Sequence, residues 1–136
     1  MGWTENTVYE FYVPYVGEYE IRQVFPGFWE VRSVDHENNV LWSSWQFFLF
    51  RARAELKTKI YTDLLSSEAE MEGRIVDLKQ EVIDQSEASF SDIAQQDGLG
   101  EKQQELRELE NMQDGMREHM ANLWQYGVRQ YEATKL

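Results

Sequence analysis

Cysteine is absent from the 136-residue chain, so disulfide bonds and thiolate metal sites are excluded. Histidine and proline each occur only twice. The longest apolar run, Phe47–Phe50, is far shorter than the about 20 residues that a transmembrane helix needs. The first ten residues lack the basic and apolar segments of a secretory signal. These features predict a cytoplasmic protein without a membrane segment.

Basic side chains are also scarce, with 13 Lys and Arg against 25 Asp and Glu and a net charge of −12. Residues 66–136 carry 16 acidic and 7 basic side chains, whereas residues 51–65 have a local excess of Arg and Lys. An acidic field repels phosphate groups, so direct binding to nucleic acid or to an anionic membrane is not expected. A basic protein is a plausible partner.

Aromatic residues are concentrated at the front of the chain, where 14 of the 19 fall within the first 50 positions. Alternating apolar and polar residues between Pro and Gly turn signals are typical of antiparallel strands. Residues 1–45 are therefore predicted to form a β-meander of three or four strands. Its predicted parts are Val8–Val13, a turn at Gly17, a strand around Tyr19 and Ile21, a turn at Pro26–Gly27, Phe28–Val34, a loop at 35–39 and Val40–Trp42.

Helical periodicity follows the meander. Ser43 with Gln46 fits a capping box, which predicts the start of a linking helix over residues 46–65. Residues 66–136 are predicted to form a long, acidic, antiparallel helical hairpin that turns at Asp97–Gly100, its last helix running to about Glu132. Whether the helices at 46–65 and 66–95 are continuous is left open. The prediction is one α+β domain spanning residues 1–136.

Motifs for catalysis, metals or cofactors are weak. Asp35, Glu37 and Asn39 have the first spacings of a calcium loop, but Val40 replaces its glycine and Gln46 its final carboxylate. A solvated hairpin loop is the favoured interpretation. His119 has no second ligand motif, and Gly98-Leu99-Gly100 does not follow a predicted strand. We therefore expect no enzymatic activity, no metal and no cofactor.

An apolar stripe along the helices, termed here the helical flank, has two interpretations. It packs on the linking helix and sheet as core, or it is a surface for self-association or for a protein partner. Homo-oligomerisation follows from the second interpretation, which the functional prediction adopts. The helical flank consists of Val76, Ile83, Phe90, Trp124, Val128 and Tyr131.

Three functions are compatible with this pattern. The favoured one is a non-enzymatic protein-interaction or assembly module, and the acidic, cysteine-free composition resembles that of small bacteriophage structural and accessory proteins. The first alternative is an acidic inhibitor that occupies a nucleic-acid-binding host protein by imitating DNA charge. The second is a protein that sequesters a small ligand in an aromatic pocket. The candidate pocket residues are Tyr19, Trp29, Trp42, Trp45, Arg51 and Arg53.

Overall fold

The chain folds as an α+β protein with a four-stranded antiparallel sheet and a helical hairpin, as predicted. The structure, a computed structural model, describes residues 7–88 and 93–133, and side chains outside 87–98. The element order is β1 Val8–Val13, β2 Gly17–Phe25, β3 Phe28–Val34, β4 Val40–Phe47, α1 Leu49–Ala88, α2 Ile93–Tyr126 and a 3₁₀ helix at Val128–Tyr131.

The strands follow one another in the sheet in the order β1-β2-β3-β4. Phe25 pairs with Phe28 across the Pro26–Gly27 turn, where Gly27 has φ 77°. Proline followed by a glycine with positive φ suits a type II turn. In the β3–β4 loop, the Asp35 carboxylate accepts the backbone N–H groups of Glu37 and Asn39, each at 2.9 Å. Turn chemistry therefore places both hairpins where the sequence predicted them.

The inner face of the sheet packs on the first half of α1 and on the end of α2. Alternation along each strand sends every second side chain to this face, and burial of apolar surface there stabilises the fold. The 3₁₀ helix closes the core, and Phe11 of β1 bridges to Glu132 beyond it. The buried core comprises Phe11, Val13, Tyr19, Ile21, Trp29, Val31, Ala52, Leu56, Ile60, Leu64, Met116, Leu123, Val128 and Tyr131.

The helix boundaries differ from three predictions. Ser43 does not cap a helix, because pairing with β3 extends β4 to Phe47. The continuity that the sequence left open is also decided, since the linking helix and the first hairpin helix are one element, α1, of 40 residues and about 60 Å. Helix α2 passes through Asp97–Gly100, since glycine costs only about 1 kcal/mol in a helix and packing elsewhere offsets it. Helix α2 ends at Tyr126 rather than near Glu132, because the next residue, Gly127, leaves the helical conformation with φ 76°.

Beyond the core, α1 and α2 form an arm held by cross-helix contacts. Ile75 and Leu78 are buried between the helices. Buried Gln113 of α2 donates to Glu68 and Glu72 of α1. Neither helix of the described chain combines the length and apolar character that crossing a membrane requires.

Candidate functional site

A group of six aromatic residues in the described part of the chain lies where the β2–β3 turn, the end of β4 and the start of α1 meet, with three rings around Phe28 and a stacked pair at Phe48 and Phe50. We call it the aromatic surface. The strand register brings it together, because Phe28 pairs with Phe25 on one side and with Phe47 on the other. The Phe48 N–H donates to the Gly27 carbonyl at 2.8 Å, which ties the start of α1 to the same turn. The aromatic surface consists of Phe25, Phe28, Trp45, Phe47, Phe48 and Phe50.

Phe28 is the half-buried centre of the aromatic surface. Its ring centroid lies 5.2 Å from that of Trp45, 5.0 Å from that of Phe47 and 6.5 Å from that of Phe25. The other five side chains are between 49% and 67% exposed. Since a buried aromatic side chain covers about 150–250 Å², these five expose on the order of 500 Å². The largest exposed apolar patch of a monomeric protein is typically about 300–600 Å² and is often functional, so an area of this size is a candidate interaction site.

The backbone at Phe48 is held in an uncommon conformation. Its φ is 66°, in the left-handed region that bulky residues rarely occupy. The Phe48 carbonyl accepts the N–H groups of Arg51 and Ala52, so this residue starts α1. Such outliers persist where the surrounding structure over-determines them. This backbone conformation at Phe48 places the rings of Phe48 and Phe50 side by side, with their centroids 5.9 Å apart.

The basic side chains at positions 51–59 lie over aromatic rings. Arg51 is 5.8 Å from the ring centre of Phe50, and Arg53 is 5.5 Å from that of Tyr9. Lys57 and Lys59 lie 4.2 Å from the ring of Trp124 and 5.0 Å from the ring of Trp42. Each contact is a cation–π interaction worth about 0.5–1 kcal/mol at an exposed site. The contacts of Arg53, Lys57 and Lys59 therefore help to hold α1 against the sheet and α2, whereas that of Arg51 lies within α1.

The six candidate pocket residues are divided between the two faces of the sheet. Tyr19 and Trp29 are core residues, and Trp42 packs against that core. Trp45 lies on the opposite face of the sheet. It pairs with Glu30 of β3, and Glu30 faces away from the core because its neighbour Trp29 faces inward. The two arginines, Arg51 and Arg53, lie over Phe50 and Tyr9, as described above. The structure therefore does not bring these six residues together around one pocket.

The helical flank is also divided. Val128 and Tyr131 are buried in the core, which agrees with the core interpretation and corrects their choice as interface residues, because the chain turns at Gly127 and directs the 3₁₀ helix inward. Trp124 is exposed but packs on Tyr61 of α1, with ring centroids 5.5 Å apart. Val76 and Ile83 remain exposed on α1, whereas the Phe90 prediction lies outside the described residues. Val76 lies about 22 Å further along α1 than Tyr61, so the described members form no continuous patch.

Two polar clusters complete the inventory of chemically distinctive groups. Where β2 meets α1, the Tyr19 hydroxyl donates to Asp63 at 2.6 Å, and Lys59 pairs with the same carboxylate at 3.0 Å. Burial, followed by the hydrogen bond to Asp63, raises the pKa of Tyr19 well above its ordinary value. On α2, the Nδ1 atom of half-buried His119 lies 2.7 Å from the Tyr131 hydroxyl. Both clusters join secondary-structure elements.

The residues of the β3–β4 hairpin that have the spacing of a calcium loop stabilise the turn itself. Hydrogen bonds donated by Asn39, and secondarily by Glu37, lower the pKa of Asp35 below its ordinary value. Its oxygens accept the turn's own N–H groups and the Asn39 side-chain amide. Within the described ranges, 7–88 and 93–133, there is no group of three or more His, Cys, Asp or Glu residues that could hold a metal ion.

Comparison of the chain with protein-family models, curated proteins and solved structures found no match. The aromatic surface is therefore the functional candidate on physical grounds alone. Sequence reasoning had noted Phe47–Phe50 only as the longest apolar run. Four consecutive apolar residues at a strand–helix junction cannot all face one core, and that signal could have indicated an exposed surface.

Proposed function

We propose that the protein is a non-enzymatic interaction or assembly module whose principal contact site is the aromatic surface. The observation that carries this proposal is the exposure of five of its six rings in one part of the fold, whereas the other exposed aromatics of the described chain, Tyr12, Tyr15, Trp124 and Tyr126, lie on other elements. Exposing so much aromatic area to water is unfavourable, and burying it against another protein would release that free energy. This surface replaces the helical flank as the leading candidate, while Val76 and Ile83 remain a secondary one.

Site-specific photocrosslinking tests this function directly. A benzophenone amino acid placed at Phe47 is expected to give a crosslinked protein species in cells that make the protein. The matched control is the same amino acid at Tyr12, an equally exposed aromatic on β1, where little crosslinking is expected. The substitution Trp45→Ser should lower the yield of the crosslink formed at Phe47. Equal yields at Phe47 and Tyr12, or none at Phe47, would contradict the proposal.

A second function, binding of a basic protein through the acidic arm, is supported by the ion pairs of that arm. Four basic side chains of the arm each form an ion pair with a carboxylate of the opposite helix, so their positive charges lie between the two helices. The excess of carboxylates is left to the outer faces. A partner crosslinked at exposed Asp77, whose affinity falls steeply with added salt, would support this function; salt-insensitive binding would count against it. The four basic residues are Arg74, Lys79, Lys102 and Arg117.

A further inference from the structure

We propose that β4 pairs antiparallel with β4 of a second copy of this chain, joining the two sheets into one about a two-fold axis. The proposal rests on the protein-interaction function proposed above and names the partner as the chain itself. Its starting point is the edge of the sheet. A strand at an edge presents unpaired backbone N–H and C=O groups, which form a template for another strand.

The two edges of this sheet differ. At the β1 edge, Phe11 bridges to Glu132, and the Ala133 N–H donates to the Glu10 carbonyl at 2.8 Å. The segment after the 3₁₀ helix thus covers the middle of that edge, at Glu10 and Phe11. At the β4 edge, no segment within residues 7–88 and 93–133 pairs with the side that faces away from β3. One edge is therefore closed by the chain itself, and the other is open to a partner.

Proteins usually protect an open edge with lysine, proline, a bulge or a covering loop. Strand β4, with the sequence VLWSSWQF, contains neither a charged residue nor a proline. A bulge is present at Leu41, since Ser33 pairs with Trp42 and Val34 with Val40. It affects only the start of the strand, and Trp42–Phe47 pairs regularly with β3. This six-residue segment is long enough to pair with a second strand.

Charge favours a second copy as the occupant. The chain carries a net charge of −12, and two such chains repel each other wherever acidic surfaces meet. Because β4 is uncharged, the two copies can approach there without placing like charges opposite each other. The sequence of β4 is also suited to pairing with itself about a two-fold axis at Ser44. On the outer face of the sheet, Trp45 would then lie opposite Ser43 of the second copy. On the inner face, Trp42 would lie opposite Gln46 of the second copy. Large side chains then face small or polar ones.

The area available is sufficient for an interface of modest size. Five apolar side chains on or next to β4 are between 44% and 66% exposed. At roughly 100 Å² for each aromatic, two copies with their paired backbones would bury on the order of 1,000 Å². Specific interfaces begin at about 1,200 Å², so the expected assembly is a concentration-dependent monomer–dimer equilibrium. The five side chains are Val40, Leu41, Trp45, Phe47 and Phe48.

Sedimentation velocity over a wide concentration range tests the proposal with the full chain and three variants. Wild type should shift from monomer to dimer as concentration rises. Trp45→Lys should raise the dissociation constant about tenfold or more, because it places a desolvated charge at the paired edge. Tyr12→Lys, which makes the same change on the closed edge, and Ile83→Lys, on the arm, should dimerise like wild type. If Trp45→Lys fails to fold, Ser43→Lys makes the same test without removing a ring.

The outcomes separate this proposal from the proposed function. A dimer that survives both β4 variants and is lost in Ile83→Lys would overturn β4 pairing and assign assembly to the arm, leaving the interaction function in place. Wild type that is monomeric at every concentration, yet crosslinks to a different protein through Phe47, would overturn self-pairing alone. Monomeric wild type without any crosslink at Phe47 would overturn both.

Discussion

At the scale of single residues, the most informative polar contact is the one between Tyr19 and Asp63. Tyr19 is 1% exposed, and its hydroxyl donates to a carboxylate that also pairs with Lys59. Tyr19→Phe keeps the ring and removes the hydrogen bond. We expect a loss of about 1–2 kcal/mol in the free energy of unfolding, measured in urea. Tyr12→Phe, which removes an exposed hydroxyl, is the matched control and should change the stability little.

The same tyrosine predicts a pH dependence. Its pKa in the folded protein is raised above the value of about 10 expected in the unfolded chain. The unfolded chain therefore loses this proton first, so the contribution to stability is complete below about pH 10 and declines as the pH rises above it. Wild type should lose stability more steeply than Tyr19→Phe in this alkaline range. Parallel stability curves for the two proteins would show that the hydroxyl is not coupled to folding.

At the scale of elements, two helical glycines should respond differently to alanine. A Cβ at Gly73 on α1 would meet nothing within 4 Å, whereas one at Gly115 on α2 would collide with the hydroxyl end of the Tyr15 side chain, from the β1–β2 turn. Gly73→Ala should stabilise the protein by about 0.5–1 kcal/mol through helix propensity. Gly115→Ala should show less gain or a net loss. Thermal or urea unfolding of both variants measures the difference.

A double-mutant cycle identifies the cause of the Gly115 effect. In a Tyr15→Ala background the collision is removed, and Gly115→Ala should then stabilise as Gly73→Ala does. A Gly115→Ala penalty that persists without the Tyr15 ring would mean that the turn is not what restricts α2. Tyr15 also makes an edge-on contact with His119, so this turn fastens the sheet to α2 at two neighbouring positions.

Individual elements were predictable to different degrees from sequence. Strands β1 and β3 match their predicted bounds, because Pro14 ends β1 and turn residues delimit both ends of β3. The end of β4 was missed because Ser43 and Gln46 suit an edge strand as well as a capping box, and only pairing with β3 decides between them. The glycines at 98 and 100 predicted a helix end, yet α2 continues through them, since each glycine costs only about 1 kcal/mol relative to alanine.

At the scale of the whole molecule, stability should be uneven along α1. Leu56, Ile60 and Leu64 are fully buried under the sheet, whereas the buried apolar side chains in the described arm portion of α1 are Ile75 and Leu78. Local opening is least costly where few apolar contacts are lost. Amide hydrogen exchange at low protein concentration should therefore be slowest around Ile60 and markedly faster beyond Leu78. Uniform protection along α1 would show that the arm unfolds only with the core.

The candidate site was less predictable than the fold. The meander order of the strands was predicted, but the exposure of Phe25 and Phe47 depends on the pairing register and on what packs over each face of the sheet, which the sequence pattern does not state. For the helical flank, residues expected at an interface are buried instead. Val128 and Tyr131 continue a helical period in the sequence, but the turn at Gly127 directs both side chains into the core. Periodicity predicts a face, and tertiary packing decides what covers that face.

The sequence by itself determined the α+β class, the two hairpin turns and the acidic helical hairpin, because these follow from local conformational preference and from the period of apolar residues. Only the tertiary structure decided that α1 is continuous, that β1 is a closed edge and β4 an open one, and that the aromatic surface assembles around Phe28. These features depend on contacts between residues that are distant in the chain, whose free energies no local pattern encodes.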